Sequence, residues 1–153
     1  MTAQVGSPAP DFALVDQARN EVTLAELRGK KSLIVFIPSP FTGICDAEAC
    51  ALRDNLSSLR DLDANVVVIT AHARPTNKKW AEEEGFGFPV LSDFWPHGAV
   101  ASAYGAFNEA LGVPNRVTYV LDADGVVREI IATDSLGTAR EFAAYTEALT
   151  ALG

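Results

Sequence analysis

Leu33-Ile34-Val35-Phe36-Ile37 is an unbroken apolar run, entered through Lys31-Ser32 and closed by Pro38-Ser39-Pro40. A strand with one face in water alternates polar and apolar residues, so a run with no polar position has to be covered on both faces. The chain must therefore place helices on either side of a sheet containing this segment. A second such run, residues 66–70, follows a stretch of helical period at residues 42–60, where Leu52, Leu56 and Leu59 recur at spacings of four and three. Strand, helix and strand in that order describe a parallel pair joined by a crossover.

The remaining pattern extends this frame. Residues 6–10 carry two prolines and read as an extended lead-in. Phe12, Leu14, Val22 and Leu24 suggest two short strands, or a hairpin, around the turn-like residues 16–20. A helix capped by Thr76 is expected to run to Glu84 and stop at Gly85. Pro89-Val90-Leu91 reads as a short strand and residues 98–104 as a helix. Residues 117–121 and 126–132 flank Asp122-Ala123-Asp124-Gly125, a hairpin turn. Thr138 and Glu141 have the spacing of a capping box for a last helix, with Phe142, Tyr145, Leu149 and Leu152 as its core-facing stripe. The expectation is an α/β fold, a central mixed sheet flanked by helices with N-terminal strand additions, in one domain over residues 1–153. Thioredoxin-like topology is the natural candidate, although periodicity alone does not separate it from other small α/β sheets.

Composition narrows the function. A net charge of −8 argues against nucleic acid, whose phosphates call for a basic surface. No stretch of about 18 apolar residues is present to span a membrane. The N-terminus has neither the basic start nor the apolar stretch of a secretory signal, so a cytoplasmic protein is expected. The chain has two cysteines, Cys45 and Cys50. In a reducing compartment a disulfide between them would be transient and catalytic rather than structural. Zinc binding by Cys45, Cys50, His72 and His97 is a weak rival, because no second paired ligand motif follows the cysteines.

Cys45 stands where a buried strand, a proline-rich turn and a helix start meet. Only a thiolate is nucleophilic, and an ordinary thiol is mostly protonated at neutral pH. Unpaired N–H groups and the positive end of the dipole at a helix N-terminus favour the anion. Thr42, three residues earlier, can offer its hydroxyl on the same side, both accepting from and donating to a bound oxygen. Pro38 and Pro40 stiffen the turn and help keep water from the sulfur. A buried, inert cysteine is the plain alternative.

Pro38, Thr42 and Cys45 form Pro-x-x-x-Thr-x-x-Cys, which resembles the active-site motif of the peroxiredoxins. The likeness runs along essentially the whole chain: Val5-Gly6-Ser7-Pro8-Ala9-Pro10-Asp11-Phe12, Phe41 to Cys45, Tyr104-Gly105-Ala106-Phe107-Asn108 and Asn115-Arg116. The stretch Ser92-Asp93-Phe94-Trp95-Pro96-His97-Gly98-Ala99-Val100 looks most like the AhpE-type branch, usually described as one-cysteine enzymes. The resemblance implies a thiol peroxidase with no metal, flavin or haem cofactor. It also implies that peroxide binds against the Thr42 hydroxyl, the Cys45 amide and the guanidinium of Arg116, which matches the family's late arginine. Arg116 would favour the thiolate and stabilise charge on the breaking O–O bond. Glu48 could orient Arg116, or could be a solvated helix residue. Oxidation would leave Cys45 as a sulfenic acid.

Cys50 departs from the one-cysteine picture. A second cysteine five residues on resembles the PrxQ (bacterioferritin-comigratory) group, in which it resolves the sulfenic acid. Five helical residues give a rise of about 7.5 Å and a turn of about 140°, so a disulfide requires the first turns to unwind. An inert apolar role for Cys50 is the alternative. With Cys50 resolving, thioredoxin is the expected reductant; without it, mycothiol with mycoredoxin, as the AhpE likeness implies. Phe41, Phe94, Trp95 and Phe107 are either core or, as the resemblance implies, the rim of a homodimer contact and of an apolar slot for organic hydroperoxides. His97 is expected to be structural and His72 exposed. Two rivals stand beside the peroxidase. A thiol–disulfide oxidoreductase favours Cys-x-x-Cys, which is absent. A redox-sensing or chaperone-like protein switched by Cys45 oxidation would react once rather than turn over.

Overall fold

The computed structural model describes residues 2–153. In chain order the elements are β1 (Ala13–Val15), β2 (Glu21–Thr23), α1 (Leu24–Leu27), β3 (Lys31–Phe36), α2 (Gly43–Asp54), α3 (Leu56–Asp61) and β4 (Ala64–Thr70). They continue with α4 (Arg74–Glu84), β5 (Val90–Ser92), α5 (Ala99–Tyr104), β6 (Phe107–Asn108), β7 (Val113–Pro114), β8 (Val117–Leu121), β9 (Val127–Ala132) and α6 (Phe142–Ala151). Seven strands form one mixed sheet in the order β2-β1-β5-β4-β3-β8-β9. β3, β4 and β5 are parallel, and β8 pairs antiparallel with both β3 and β9. The N-terminal strands join as an antiparallel pair whose β1 reaches β5 through Val15 and Ser92.

The apolar run of β3 is covered on both faces. Leu33, Val35 and Ile37 pack with residues of α2, α3, α4 and α6, among them Leu52, Leu59, Trp80 and Leu149. Ile34 and Phe36 turn the other way, onto Leu24, Ala101, Tyr104 and Tyr119. The period of two splits consecutive residues between two cores, and Val66 and Val68 against Val67 and Ile69 repeat the division in β4. β3 therefore ends rigidly at the Pro38 turn.

Several local expectations are corrected. The helix read over 42–60 is two, because Asn55 adopts φ −114°, ψ 14° and its Nδ2 donates to the Ala51 carbonyl at 2.8 Å. An amide side chain that takes up a helix carbonyl competes with the helix itself. Thr76 does not cap α4; the cap is Ala73, and Pro75 lies in the first turn, where its missing N–H costs nothing. The capping box is not formed either. Thr138 lies in the preceding loop near Ser135 Oγ at 3.1 Å, and α6 begins after Glu141 without a side-chain cap. The four-residue α1, capped by Thr23, and the β6–β7 ribbon lie outside the sequence reading. No helix is long and apolar enough to cross a membrane among the described residues.

Candidate active site

The Pro38 turn delivers the chain from β3 to α2, and both Pro38 and Pro40 are buried. Phe41 takes φ +64°, a left-handed conformation that is uncommon outside glycine and costs of order 1–2 kcal/mol. Thr42 is the N-cap of α2, so Gly43, Ile44 and Cys45 occupy its first turn. Their amides have no partner four residues back, and the Thr42 side chain takes none of them. Its hydroxyl instead donates to the Ser39 carbonyl at 2.8 Å. This corrects the two-way role expected of Thr42: while that bond holds, its oxygen can accept from a bound molecule but not donate to it.

Cys45 is 1% exposed and faces the core. Arg116, immediately before β8, reaches it with Nη2 3.3 Å from Sγ. The other two donor arms are also held, Nε by the Leu136 carbonyl and Nη1 by Glu48 Oε1, each at 2.6 Å. Glu48 is buried, which removes the solvated reading, and it lies between two guanidiniums. Arg140 donates its backbone N and Nε to Oε2, each at 2.8 Å, and its Nη2 to Oε1 at 2.9 Å. Its Nη1 extends to Thr118 Oγ1 at 3.1 Å, which in turn meets the Tyr145 hydroxyl at 3.0 Å. Burial pushes the Glu48 carboxyl up, but the hydrogen bonds and charge of Arg140, joined by the charge of Arg116, bring it below the ordinary carboxylate value.

Arg140 carries no signal of this role in the sequence. It is 6% exposed yet stands between Ala139 and Glu141 in a polar loop, and nothing in that local pattern distinguishes it from a surface arginine. Its backbone bond to Glu48 explains the late start of α6, since residue 140 is tied down before the helix begins. The charges leave a clear imbalance. Two guanidiniums face one carboxylate, so the buried cluster carries one excess positive charge unless the Cys45 sulfur is an anion. Such a pocket offers donors and positive charge to an electron-rich oxygen beside the sulfur.

Cys50 is also in α2, half-buried, and both cysteines are free. The other singled-out residues divide. Phe41, Phe94 and Trp95 are exposed, which corrects the core reading for these three, and Trp95 reaches 82%. Phe107 packs against the core, and its ring lies where a Cβ at position 98 would be, so Gly98 at φ +69° is required there. His97 holds a structural position, with Nε2 2.8 Å from the Gly112 carbonyl and Nδ1 3.2 Å from that of Phe94. His72 is half-buried rather than exposed, and burial, with the charge of His97 second, lowers its pKa. Among the described residues no three His, Cys, Asp or Glu side chains converge as a metal site.

The sheet and its helices form the thioredoxin fold of the peroxiredoxins. The chain belongs to the AhpC/TSA family, whose family model matches residues 5–130. Within that class it is 48% identical over 149 residues to alkyl hydroperoxide reductase E of Mycobacterium tuberculosis (strain ATCC 25618 / H37Rv), with 97% of each chain covered. It is 35% identical over 124 residues to chloroplastic peroxiredoxin Q of Sedum lineare, covering 80% of this chain and 66% of that one. The solved structure of peroxidoxin BcpB from Mycobacterium tuberculosis superposes with a TM-score of 0.83 at 30% identity, covering 98% of this chain and 96% of the other. Relatives of both the AhpE and the peroxiredoxin Q kind thus match this chain.

Proposed function

We propose that this protein is a cytoplasmic thiol-dependent peroxidase acting on hydrogen peroxide and organic hydroperoxides through Cys45. The observation that carries the reading is the Arg116 Nη2–Cys45 Sγ contact of 3.3 Å inside a buried cluster one negative charge short of balance. The Cys45 thiolate attacks the terminal peroxide oxygen, an S–O bond forms, and the O–O bond breaks. The departing alkoxide or hydroxide takes up a proton and leaves as alcohol or water. Arg116 and the unpaired amides of the first turn of α2 stabilise the charge on the separating oxygens. The Thr42 oxygen accepts a hydrogen bond from the peroxide O–H, and Pro38 limits water access. Glu48 and Arg140 keep Arg116 in place and do not touch the reacting atoms.

The product is a Cys45 sulfenic acid, which has to be reduced before a second peroxide carries it further. The likeness to peroxiredoxin Q supports Cys50 as the resolving thiol, with thioredoxin as the reductant of the disulfide. The likeness to AhpE supports mycothiol and mycoredoxin acting on Cys45 directly. A homodimer is supported by the exposed aromatics: Phe94 and Trp95 line a groove of about 540 Å³ with Leu14, Val15, Arg19 and Arg74. Rapid-mixing peroxide consumption on Cys45→Ser and Cys50→Ser, with thioredoxin and mycoredoxin supplied separately, tests the scheme. Cys45→Ser should abolish the fast reaction. Survival of that reaction sinks the assignment, and a single stoichiometric event without turnover would favour a sensor.

A further inference from the structure

Cys50, in no disulfide, is nonetheless held by a hydrogen bond. Its thiol donates to Glu84 Oε2 at 3.3 Å, and Glu84 is the last residue of α4. Arg53, three residues along α2 and on the same side of the helix, holds the same glutamate twice. Its Nη1 donates to the Glu84 carbonyl at 2.6 Å and lies 3.7 Å from the carboxylate. Asp54 fixes Arg53 Nε at 2.8 Å. One residue of α4 thus receives both Cys50 and Arg53, and the second half of α2 is fastened to the end of α4.

We propose that Glu84 is a positioning residue for the second half-reaction, a latch that keeps Cys50 docked on α4 and sets how often it is released toward oxidised Cys45. The proposal rests on the reading of Cys50 as the resolving thiol. With α2 intact the two cysteines are separated by about 7.5 Å of helical rise and point in different directions, beyond the roughly 7 Å that a disulfide spans. Release therefore has to give up the Cys50–Glu84 hydrogen bond and the Arg53 contacts. The freed thiol then loses its proton to solvent and its sulfur attacks the Cys45 sulfenic sulfur. An S–S bond forms, the S–O bond breaks, and the departing hydroxide takes up a proton as water. Cys50 is oxidised as Cys45 is reduced, with no outside oxidant.

The groups facing Cys50 are Glu84 from α4, and Arg53 and Asp46 from its own helix. Burial, followed by the hydrogen bond to Glu84, pushes the thiol up; the charge of Arg53 pulls it down, and those of Glu84 and Asp46 add to the rise. Opening the latch therefore both exposes Cys50 and makes it easier to ionise.

The full chain with Glu84→Ala, Glu84→Gln or Arg53→Gln is the test. Cys50 alkylation in reduced protein is followed by peptide mass spectrometry across a pH series, and disulfide formation is followed after one equivalent of peroxide. Glu84→Ala should raise both rates about 5-fold, the factor expected for losing one hydrogen bond, and leave the initial peroxide reaction of Cys45 unchanged. The alkylation profile should move to lower pH in Glu84→Gln and to higher pH in Arg53→Gln, opposite signs that general loosening would not produce. Alkylation rates and profiles equal to the parent's overturn the latch, as does slower disulfide formation in Glu84→Ala. Accelerated alkylation with no disulfide in any of the proteins overturns instead the resolving role of Cys50, and with it the part assigned to Glu84 in turnover.

Discussion

Glu48 is the residue on which the pocket depends most. Its carboxylate accepts four hydrogen bonds from Arg116 and Arg140 while buried. A buried charge cluster is stabilising only when complete, and removing one member leaves the others desolvated and unpaired. Glu48→Ala should therefore cost about 3–5 kcal/mol in denaturant unfolding and displace Arg116 from the sulfur. The pH dependence has a defined sign. The folded-state pKa of Glu48 lies below its ordinary value, so its contribution is fully present above the unfolded value of about 4.3. That contribution is lost as pH falls through the lower folded value. Urea midpoints should fall more steeply on acidification through that window in the parent than in Glu48→Gln. Cys45, Thr42 and Pro38 stand out in the sequence because they share one turn and one helix start, where spacing determines proximity, whereas the sequence leaves Glu48 open between orienting Arg116 and lying in solvent. Arg140 does not stand out, since it meets Glu48 across 92 residues and its role exists only once α6 has docked.

At the scale of elements, burial on both faces made β3 and β4 readable, and the Asp122 turn made the β8–β9 hairpin so. Helix boundaries were less legible because tertiary contacts override local caps. Thr138 has the right spacing, yet the tie between residue 140 and Glu48 sets where α6 begins. α5 shows the same effect. Its N-cap is Gly98, which has no side chain, and the cap is supplied from outside by Asp93, whose carboxylate accepts from the Val100 and Ala101 amides at 3.0 and 2.9 Å. Asp93→Ala should lower stability by about 1–2 kcal/mol in thermal unfolding and speed hydrogen exchange at those two amides. Asp93→Asn, which keeps an acceptor, should lose less.

At the scale of the molecule, Val15, Phe94 and Trp95 place exposed apolar area along one groove. Such area is characteristic of an interaction surface. With a second copy of this chain on that face, Trp95→Lys should convert a dimer to monomer in sedimentation velocity and leave the Cys45 pocket intact. A parent protein that sediments as a monomer throughout would remove the assignment. Trp80 has a different consequence. It is one of two tryptophans in the chain, fully buried, and its indole N–H donates at 2.8 Å to Asp46, the residue after Cys45. Unwinding the start of α2 would remove that acceptor and shift the fluorescence of Trp80. The emission of this one side chain would therefore report any unwinding of the first turn of α2 in the unlabelled protein.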